Sequence, residues 1–319
     1  MKLRIGSRGS QLALWQARHI AGLLRTQGHS VEIEIIKTTG DRLQGVTFAQ
    51  AGALTGTKGL FTKEIEEALA EGRVDLAVHS LKDLPTELPE PFALAATPAR
   101  VDPRDVFVSM KCQNLRALPL GARVGTSSQR RRAQLKALRP DLEAEEFRGN
   151  VDTRLRKLAE GHVDAILLAA AGLDRLEKTD WVRERLEPRE FCPAAGQGAL
   201  GIETRKEDFA TMKALAFLNH PATRFAVTAE RAALAALGGG CQVPIGVHCR
   251  PAKPLSGEGP GRGSEIFAVV ASPTSGSVVR IFDRAAPGAD PAELGRGTAR
   301  KLLEAGAGAL LEAAGEAGR

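Results

Sequence analysis

The chain has no tyrosine and only two tryptophans in 319 residues, and aromatic side chains make up 4% of it. Proteins that bind single strands of nucleic acid stack the bases on aromatic platforms, so this shortage argues against that class. The four cysteines, Cys112, Cys192, Cys241 and Cys249, show no Cys-x-x-Cys spacing. A chain of this length has no need of disulfide staples, and a reducing, cytoplasmic setting is expected. No run of about 18 apolar residues occurs, which argues against a membrane-spanning helix. Met1-Lys2-Leu3-Arg4-Ile5-Gly6 passes straight into a strand-like pattern, so neither a secretion signal nor membrane contact is expected. His248 and Cys249 lie near Cys241, but the spacing fits no zinc pattern, and neighbours on a strand point to opposite faces, so no metal is expected.

What is present is 43% apolar and 26% charged residues, the balance of a globular protein, in a chain long enough for two or three domains. A net charge of +6 and a pI near 9.3 point to anionic partners, with polycarboxylates or phosphates as open as nucleic acid.

Two segments repeat in the same order. Arg4-Ile5-Gly6-Ser7 returns as Arg123-Val124-Gly125-Thr126, and Leu69-Ala70-Glu71-Gly72-Arg73-Val74-Asp75 returns as Leu158-Ala159-Glu160-Gly161-His162-Val163-Asp164. Each half reads strand, helix, strand, helix, strand, over 3–6, 11–26, 31–37, 60–71 and 75–79, and over 123–125, 129–138, 143–147, 151–160 and 164–168. The alternation predicts two duplicated, doubly wound α/β domains around a cleft, with a smaller α+β domain at the C-terminus. Ligands of open α/β sheets bind beyond the carboxyl ends of the strands, where helix N-termini point. Ser7-Arg8-Gly9-Ser10 and Thr126-Ser127-Ser128-Gln129-Arg130-Arg131-Arg132 put hydroxyls and arginines at those ends. Either Ser10 and Ser127 are ordinary helix caps and the arginines a solvated face, or both ends line one anion-binding cleft.

The stretch 39–58 is too long for a routine connection and is expected to be either a mobile lid or a disordered insertion. The run 193–200 reads as a crossing back to a strand at 200–203 that completes the first sheet. Further on come a helix at 222–237, strands at 245–249, 266–271 and 278–282, a loop at 251–263 and one helix over about 291–314. The expected domains are 1–98 with 197–219, then 99–196, then 220–319.

Two places stand out chemically. Gly238-Gly239-Gly240 leaves the backbone unshielded just before the thiol of Cys241, which is either a small apolar filler or a sulfur that must reach a large ligand. His79-Ser80-Leu81-Lys82-Asp83 follows an apolar strand, where this architecture puts working residues. Lys82 and Asp83 are either a surface pair or a cation and a carboxylate at the cleft edge, the latter able to stabilise positive charge.

These motifs together resemble the porphobilinogen deaminase family, also called hydroxymethylbilane synthases. The match runs through Ser7-Arg8, Leu12-Ala13-Leu14-Trp15-Gln16-Ala17, Lys58-Gly59-Leu60-Phe61, Val78-His79-Ser80-Leu81-Lys82-Asp83 and Asp102-Pro103-Arg104-Asp105. It continues through Val124-Gly125-Thr126-Ser127-Ser128, Arg130-Arg131, Arg148-Gly149-Asn150-Val151, Ala171-Gly172-Leu173, Gly196-Gln197-Gly198 and Gly239-Gly240-Cys241-Gln242-Val243-Pro244-Ile245-Gly246. The resemblance implies a dipyrromethane cofactor joined to Cys241 by a thioether. It further implies head-to-tail addition of four porphobilinogen molecules with loss of ammonia, and hydrolytic release of hydroxymethylbilane. It makes Asp83 the catalytic carboxylate that stabilises the cation left when ammonia departs. Lys82, Ser80, Thr126, Ser128, Arg130, Arg131 and Arg154 are then cofactor-binding, with Asp83 and Cys241. Arg8, Ser10, Gln16, Arg148, Gly149, Arg154, Arg175 and Gln197 are substrate-binding. A monomer that binds neither nucleic acid nor membrane is implied. The alternative is a two-lobed small-anion binding protein of the periplasmic type, without catalysis, which leaves Cys241 unexplained.

Overall fold

The two halves of the repeat fold into two sheets of one design. The computed structural model describes residues 1–39, 62–239, 243–252 and 263–317. The first sheet has the order β2 (Ser30–Ile35), β1 (Lys2–Ser7), β3 (Leu76–Ser80), β10 (Leu200–Arg205), β4 (Phe92–Ala96). The second has the order β7 (Glu143–Glu145), β6 (Arg123–Gly125), β8 (Ala165–Ala169), β5 (Asp105–Ser109), β9 (Glu184–Arg185). In both, the first three strands are parallel, and the fourth runs antiparallel to its neighbours. The strand expected at 200–203 does complete the first sheet, as the longer β10, with Leu200 opposite Ser80.

The duplication reaches the register. Ile5 lies opposite Leu76 as Val124 lies opposite Ala165. The amides of Asp75 and Asp164 donate to the carbonyls of Arg4 and Arg123, each at 2.9 Å.

Helices cover both faces of each sheet because their apolar positions recur at helical spacing. In α1 (Gln11–Thr26), Gln16, Ala17, Ile20, Ala21 and Leu24 are buried, and the apolar ones pack on Leu3, Ile5 and Leu76. On the other face α2 (Lys63–Ala70) brings Ile65, Ala68 and Leu69 against Val74, Ala77 and Phe92. Around the second sheet, α3 (Gln129–Leu138) sits in one core with Val124 and Phe107, and α4 (Val151–Ala159) with α5 (Ala170–Arg175) in another with Val106 and Ile166. After β10 the chain forms α6 (Phe209–Leu215) and α7 (Pro221–Ala236). A three-stranded antiparallel sheet follows, β11 (Ile245–Pro251), β12 (Ser264–Ala271) and β13 (Val278–Ala285), with α8 (Pro291–Glu304) and α9 (Ala307–Ala317). One apolar core joins α7, α8 and this sheet.

Two compact units result, Met1–Val101 with Ala199–Arg224, and Asp102–Gly198 with Phe225–Arg319. The first holds the first sheet; the second holds the other two. Among the described residues no helix is long and apolar enough to cross a membrane.

The single C-terminal helix expected over 291–314 is two. Gly306 takes φ 92°, and its amide turns back to the Leu303 carbonyl, which ends α8 in the left-handed stop that glycine favours. The strands β4 and β5 were not foreseen, since Phe92–Ala96 and Asp105–Ser109 are short runs without alternation. The expected lid or insertion and the motif Lys58-Gly59-Leu60-Phe61 lie outside the described residues, as does most of the loop 251–263.

Helix α8 approaches α7 closely at Gly295, where a Cβ would fall on the Ala229 carbonyl oxygen and 2.8 Å from the Ala233 nitrogen. Backbone cannot yield as a side-chain tip can. Gly295→Ala is therefore expected to destabilise the protein by about 1–3 kcal/mol, read as a lowered denaturation midpoint; an unchanged midpoint would refute the close packing.

Candidate functional site

At the carboxyl end of the first sheet, β3 ends at Ser80 and the chain turns through one 3-10 turn, Leu81–Asp83. Three contacts fix that turn. The Leu81 amide donates to the Ala199 carbonyl at 3.0 Å, and the buried Leu81 side chain lies where any Cβ on Gly201 would meet it at 2.8 Å. The buried Gln16 side chain donates to Ser80 Oγ at 2.7 Å. Lys82 is left half-buried and Asp83 exposed, on a rigid support. Arg8 follows β1, the parallel neighbour of β3, and Ser10 caps α1 by accepting from the Ala13 amide at 3.3 Å. One strand residue before Ser80, His79 Nε2 meets Glu203 Oε2 at 2.8 Å, with both residues buried.

The second sheet ends differently. Thr126 is buried and its amide donates to the Glu145 carbonyl, while the Ser128 amide donates to Thr126 Oγ1 at 3.3 Å. Ser128, not Ser127, caps α3, accepting from the Arg131 amide at 3.4 Å. Ser127 instead accepts from the Phe147 amide, because the path from Gly125 to the cap at Ser128 is one residue shorter than the path from Gly6 to the cap at Ser10.

Arg130 and Arg131 are not a solvated face. Both are buried against Asp105, which has no exposed surface. Arg130 Nη1 donates to Asp105 Oδ2 and to the Cys192 carbonyl, each at 2.6 Å. Arg131 gives Nε and Nη2 to Asp105 Oδ1 at 3.1 and 2.7 Å, and Nη1 to the Leu167 carbonyl at 3.0 Å. The buried Gln197 adds Nε2 to Asp105 Oδ1 at 2.9 Å and to the Pro103 carbonyl at 2.7 Å. Burial alone would raise the Asp105 carboxyl; the two guanidiniums outweigh it and hold it far below the usual carboxylate range.

Arg148, Arg154 and Arg175 lie in the same unit. Arg148 pairs with Glu146 at 2.5 Å. Gly149, at φ 122°, turns the chain where a Cβ would meet Thr153 at 2.8 Å, and its carbonyl receives Arg154 Nε at 2.8 Å. Among the described residues Arg154 forms no ion pair, and burial, with repulsion from Arg131, draws its guanidinium down to about 10. Arg175 is buried, donates Nη2 to the Gly198 carbonyl at 2.9 Å, and is likewise drawn by burial to about 10, with Asp174 opposing.

The crossing segment is tied at each step. Gly196 donates its amide to Glu230 Oε2 at 2.7 Å, while Glu230 Oε1 accepts from the Cys249 amide at 2.7 Å, with His248 Nδ1 3.4 Å away. Sequence reasoning assigned no role to Asp105, Glu203 or Glu230. A usable signal existed for the first two, since each is an acid within or bordering an otherwise apolar strand and must find a partner when buried. Cys241, with Gly240 and Gln242, lies outside the described residues. Among the described residues no group of three or more histidine, cysteine or acidic side chains is placed to hold a metal.

The first sheet thus carries a carboxylate and an amine on a turn whose backbone is tied down, and the second a buried cluster of two guanidiniums around one carboxylate. Two family models match the chain, "Porphobilinogen deaminase, dipyromethane cofactor binding domain" over residues 3–213 and "Porphobilinogen deaminase, C-terminal domain" over residues 224–304. A porphobilinogen deaminase of Trichlorobacter lovleyi is 50% identical over 314 residues, covering 98% of this chain and 96% of its own. Proteins of the same name from Nitratidesulfovibrio vulgaris and Chromobacterium violaceum are 49% and 48% identical, covering 97% and 98% of this chain and 96% and 97% of theirs.

Burial pushes the Cys192 thiol up to about 12, and Cys249 is buried as well, whereas Cys112 is half-buried. Iodoacetamide at about pH 8 is therefore expected to leave Cys192 and Cys249 unmodified until denaturant is added. Alkylation of Cys192 in the native protein, located by peptide mapping, would contradict its burial.

Proposed function

The chain belongs to the porphobilinogen deaminase family, enzymes that join four porphobilinogen molecules head to tail with loss of ammonia and release hydroxymethylbilane by hydrolysis, and from that membership we propose which of its residues perform each task. When bound, the family's dipyrromethane group serves as the primer for chain growth. Such a group carries an acetate and a propionate on each ring, so it calls for cationic and N–H donors. The donor set fits. Arg154 is half-buried without a carboxylate partner among the described residues, and the hydroxyls of Thr126 and Ser128 stand at the N-terminus of α3.

In this reading Cys241 holds the group by a thioether, and Lys82, Ser80, Asp83, Thr126, Ser128, Arg130, Arg131 and Arg154 hold its arms and rings. Arg8, Ser10, Gln16, Arg148, Gly149, Arg154, Arg175 and Gln197 orient the incoming substrate. Asp83 is the catalytic carboxylate. Its exposure, on a turn fixed by Leu81 and by Gln16 through Ser80, supports the role, because a charge stabilises a developing cation best when it need not reorganise. The observation that carries the reading is Arg154, a guanidinium drawn to about 10 with no ion pair among the described residues, whose cost an arriving carboxylate would offset. Relatives that match nearly end to end carry the enzyme's name, which leaves a noncatalytic binder without support. We further propose that the protein is a cytoplasmic monomer that engages neither nucleic acid nor membrane, with domains 1–98 plus 197–219, 99–196 and 220–319.

Asp83→Asn keeps the shape and removes the charge. Turnover is expected to fall by ~100-fold or more with the circular dichroism and melting temperature unchanged; near-normal turnover would sink the assignment. Intact mass tests the tether. The native protein should exceed its sequence mass by two pyrrole units with their acid arms, located on Cys241, and Cys241→Ser should lack them. A native Cys241 that stays unmodified after incubation with porphobilinogen would overturn the role of Cys241.

A further inference from the structure

The segment that leaves β7 carries a carboxylate in among the arginines of the second unit. The Glu145 carbonyl accepts from the Thr126 amide at 2.8 Å, and the Phe147 amide donates to Ser127 Oγ at 3.2 Å. The backbone on both sides of Glu146 is thus tied to the turn before α3. Phe147 is buried, where a Cβ on Gly125 would meet its ring at 2.6 Å, and Glu146 and Arg148 flank it in the chain. Glu146 Oε1 accepts from Arg148 Nε at 2.5 Å. Its other oxygen, Oε2, lies 3.8 Å from Arg132 Nη2, and Arg132 is itself anchored by donating Nε to the Thr126 carbonyl at 3.2 Å. Arg154, lowered chiefly by burial, feels Glu146 as an attraction and Arg131 and Arg148 as repulsions.

Two carboxylates of this unit therefore sit on arginines that the proposed function assigns to ligands, and their burial separates what each can do. Asp105 has no exposed surface, and releasing it from Arg130 and Arg131 would strand a charge out of water. Glu146 is 46% exposed and Arg148 27%, so water reaches that pair and competes with it, and pairs of this kind are held weakly. A carboxylate arriving from solution can take the place of Glu146 on Arg148. Arg132 then gives the displaced side chain a second cation to turn to, so that neither charge is left alone during the exchange.

We propose that Glu146 sets the affinity for substrate: it is a resident counter-ion on Arg148 that a carboxylate arm of the incoming substrate replaces, with Arg132 receiving the displaced side chain. The inference rests on the assignment of Arg148 to the substrate.

In the holoenzyme, Glu146→Gln is expected to lower the KM for porphobilinogen by about threefold, with kcat and melting temperature unchanged, and Glu146→Asp to fall between it and the parent. Arg132→Gln should raise KM by a similar factor, and that rise should vanish when it is combined with Glu146→Gln. Modification of arginine by phenylglyoxal, located by peptide mapping, gives a readout apart from turnover. Porphobilinogen should protect Arg148 of Glu146→Gln at about threefold lower concentration than in the parent. An unchanged or raised KM in Glu146→Gln would overturn the inference, as would a change confined to kcat. A rise with Arg132→Gln that persists in the Glu146→Gln background would overturn it too, by making Arg132 a direct ligand. If porphobilinogen protected Arg148 in neither protein, the assignment of Arg148 to substrate would fall and the inference with it. Failure of the wider deaminase assignment would show separately, as undiminished turnover in Asp83→Asn.

Discussion

The antiparallel fourth strand of each sheet is the constraint on which the rest depends. Three parallel strands with crossover helices leave their carboxyl ends open, and a strand entering from the opposite direction begins where they end. Its first residues therefore stand beside the turns that follow those ends. In the first sheet β10 begins at Leu200, the Ala199 carbonyl receives the Leu81 amide, and the turn bearing Lys82 and Asp83 is fixed. In the second sheet β5 begins at Asp105, and the same register puts a carboxylate where the first sheet has a leucine. A one-residue slip would turn every side chain of these strands to the other face.

From this shared frame the halves diverge by exchanging charge for bulk. The repeat pairs Asp75 with Asp164, so Lys82 and Asp83 correspond to Ala171 and Gly172, and the second sheet has no acid and amine on its turn. His79 and Glu203, buried together at 2.8 Å, correspond to Leu168 and Val108. In the other direction, Asp105 stands against Leu200. Each sheet thus carries buried charges that its sister does without. Burying such groups costs in desolvation roughly what their attraction returns, and the asymmetry leaves a carboxylate-bearing turn on one sheet and a buried guanidinium cluster on the other.

The backbone plan was legible in the sequence because it depends on local pattern and on repetition. Helical spacing in 11–26, the strand-like runs at 3–6 and 75–79, and the returning Leu-Ala-Glu-Gly motif are all short-range features. Strand 200–203 was legible for a different reason, as the sheet lacked a member and the chain returned with an apolar run. The partners of Arg130 and Arg131 were not legible. Asp105 precedes Arg130 by 25 residues, and nothing short of the folded register brings them together. Ser128 displaced Ser127 as the helix cap for a similarly small reason, a loop one residue shorter than its counterpart. The break at Gly306 was visible as a glycine, yet Gly295 and Gly297 lie within α8, so glycine alone did not mark the end. What ends the helix is the left-handed conformation, which only the folded backbone displays.

Arginine tolerates the burial found in the second unit. Arg154 and Arg175 are drawn down to about 10 and still lie far enough above neutral pH to remain charged. The same burial would also lower a lysine, whose ordinary value of about 10.4 already lies nearer neutral pH. A desolvated position that must stay charged thus suits arginine better than lysine.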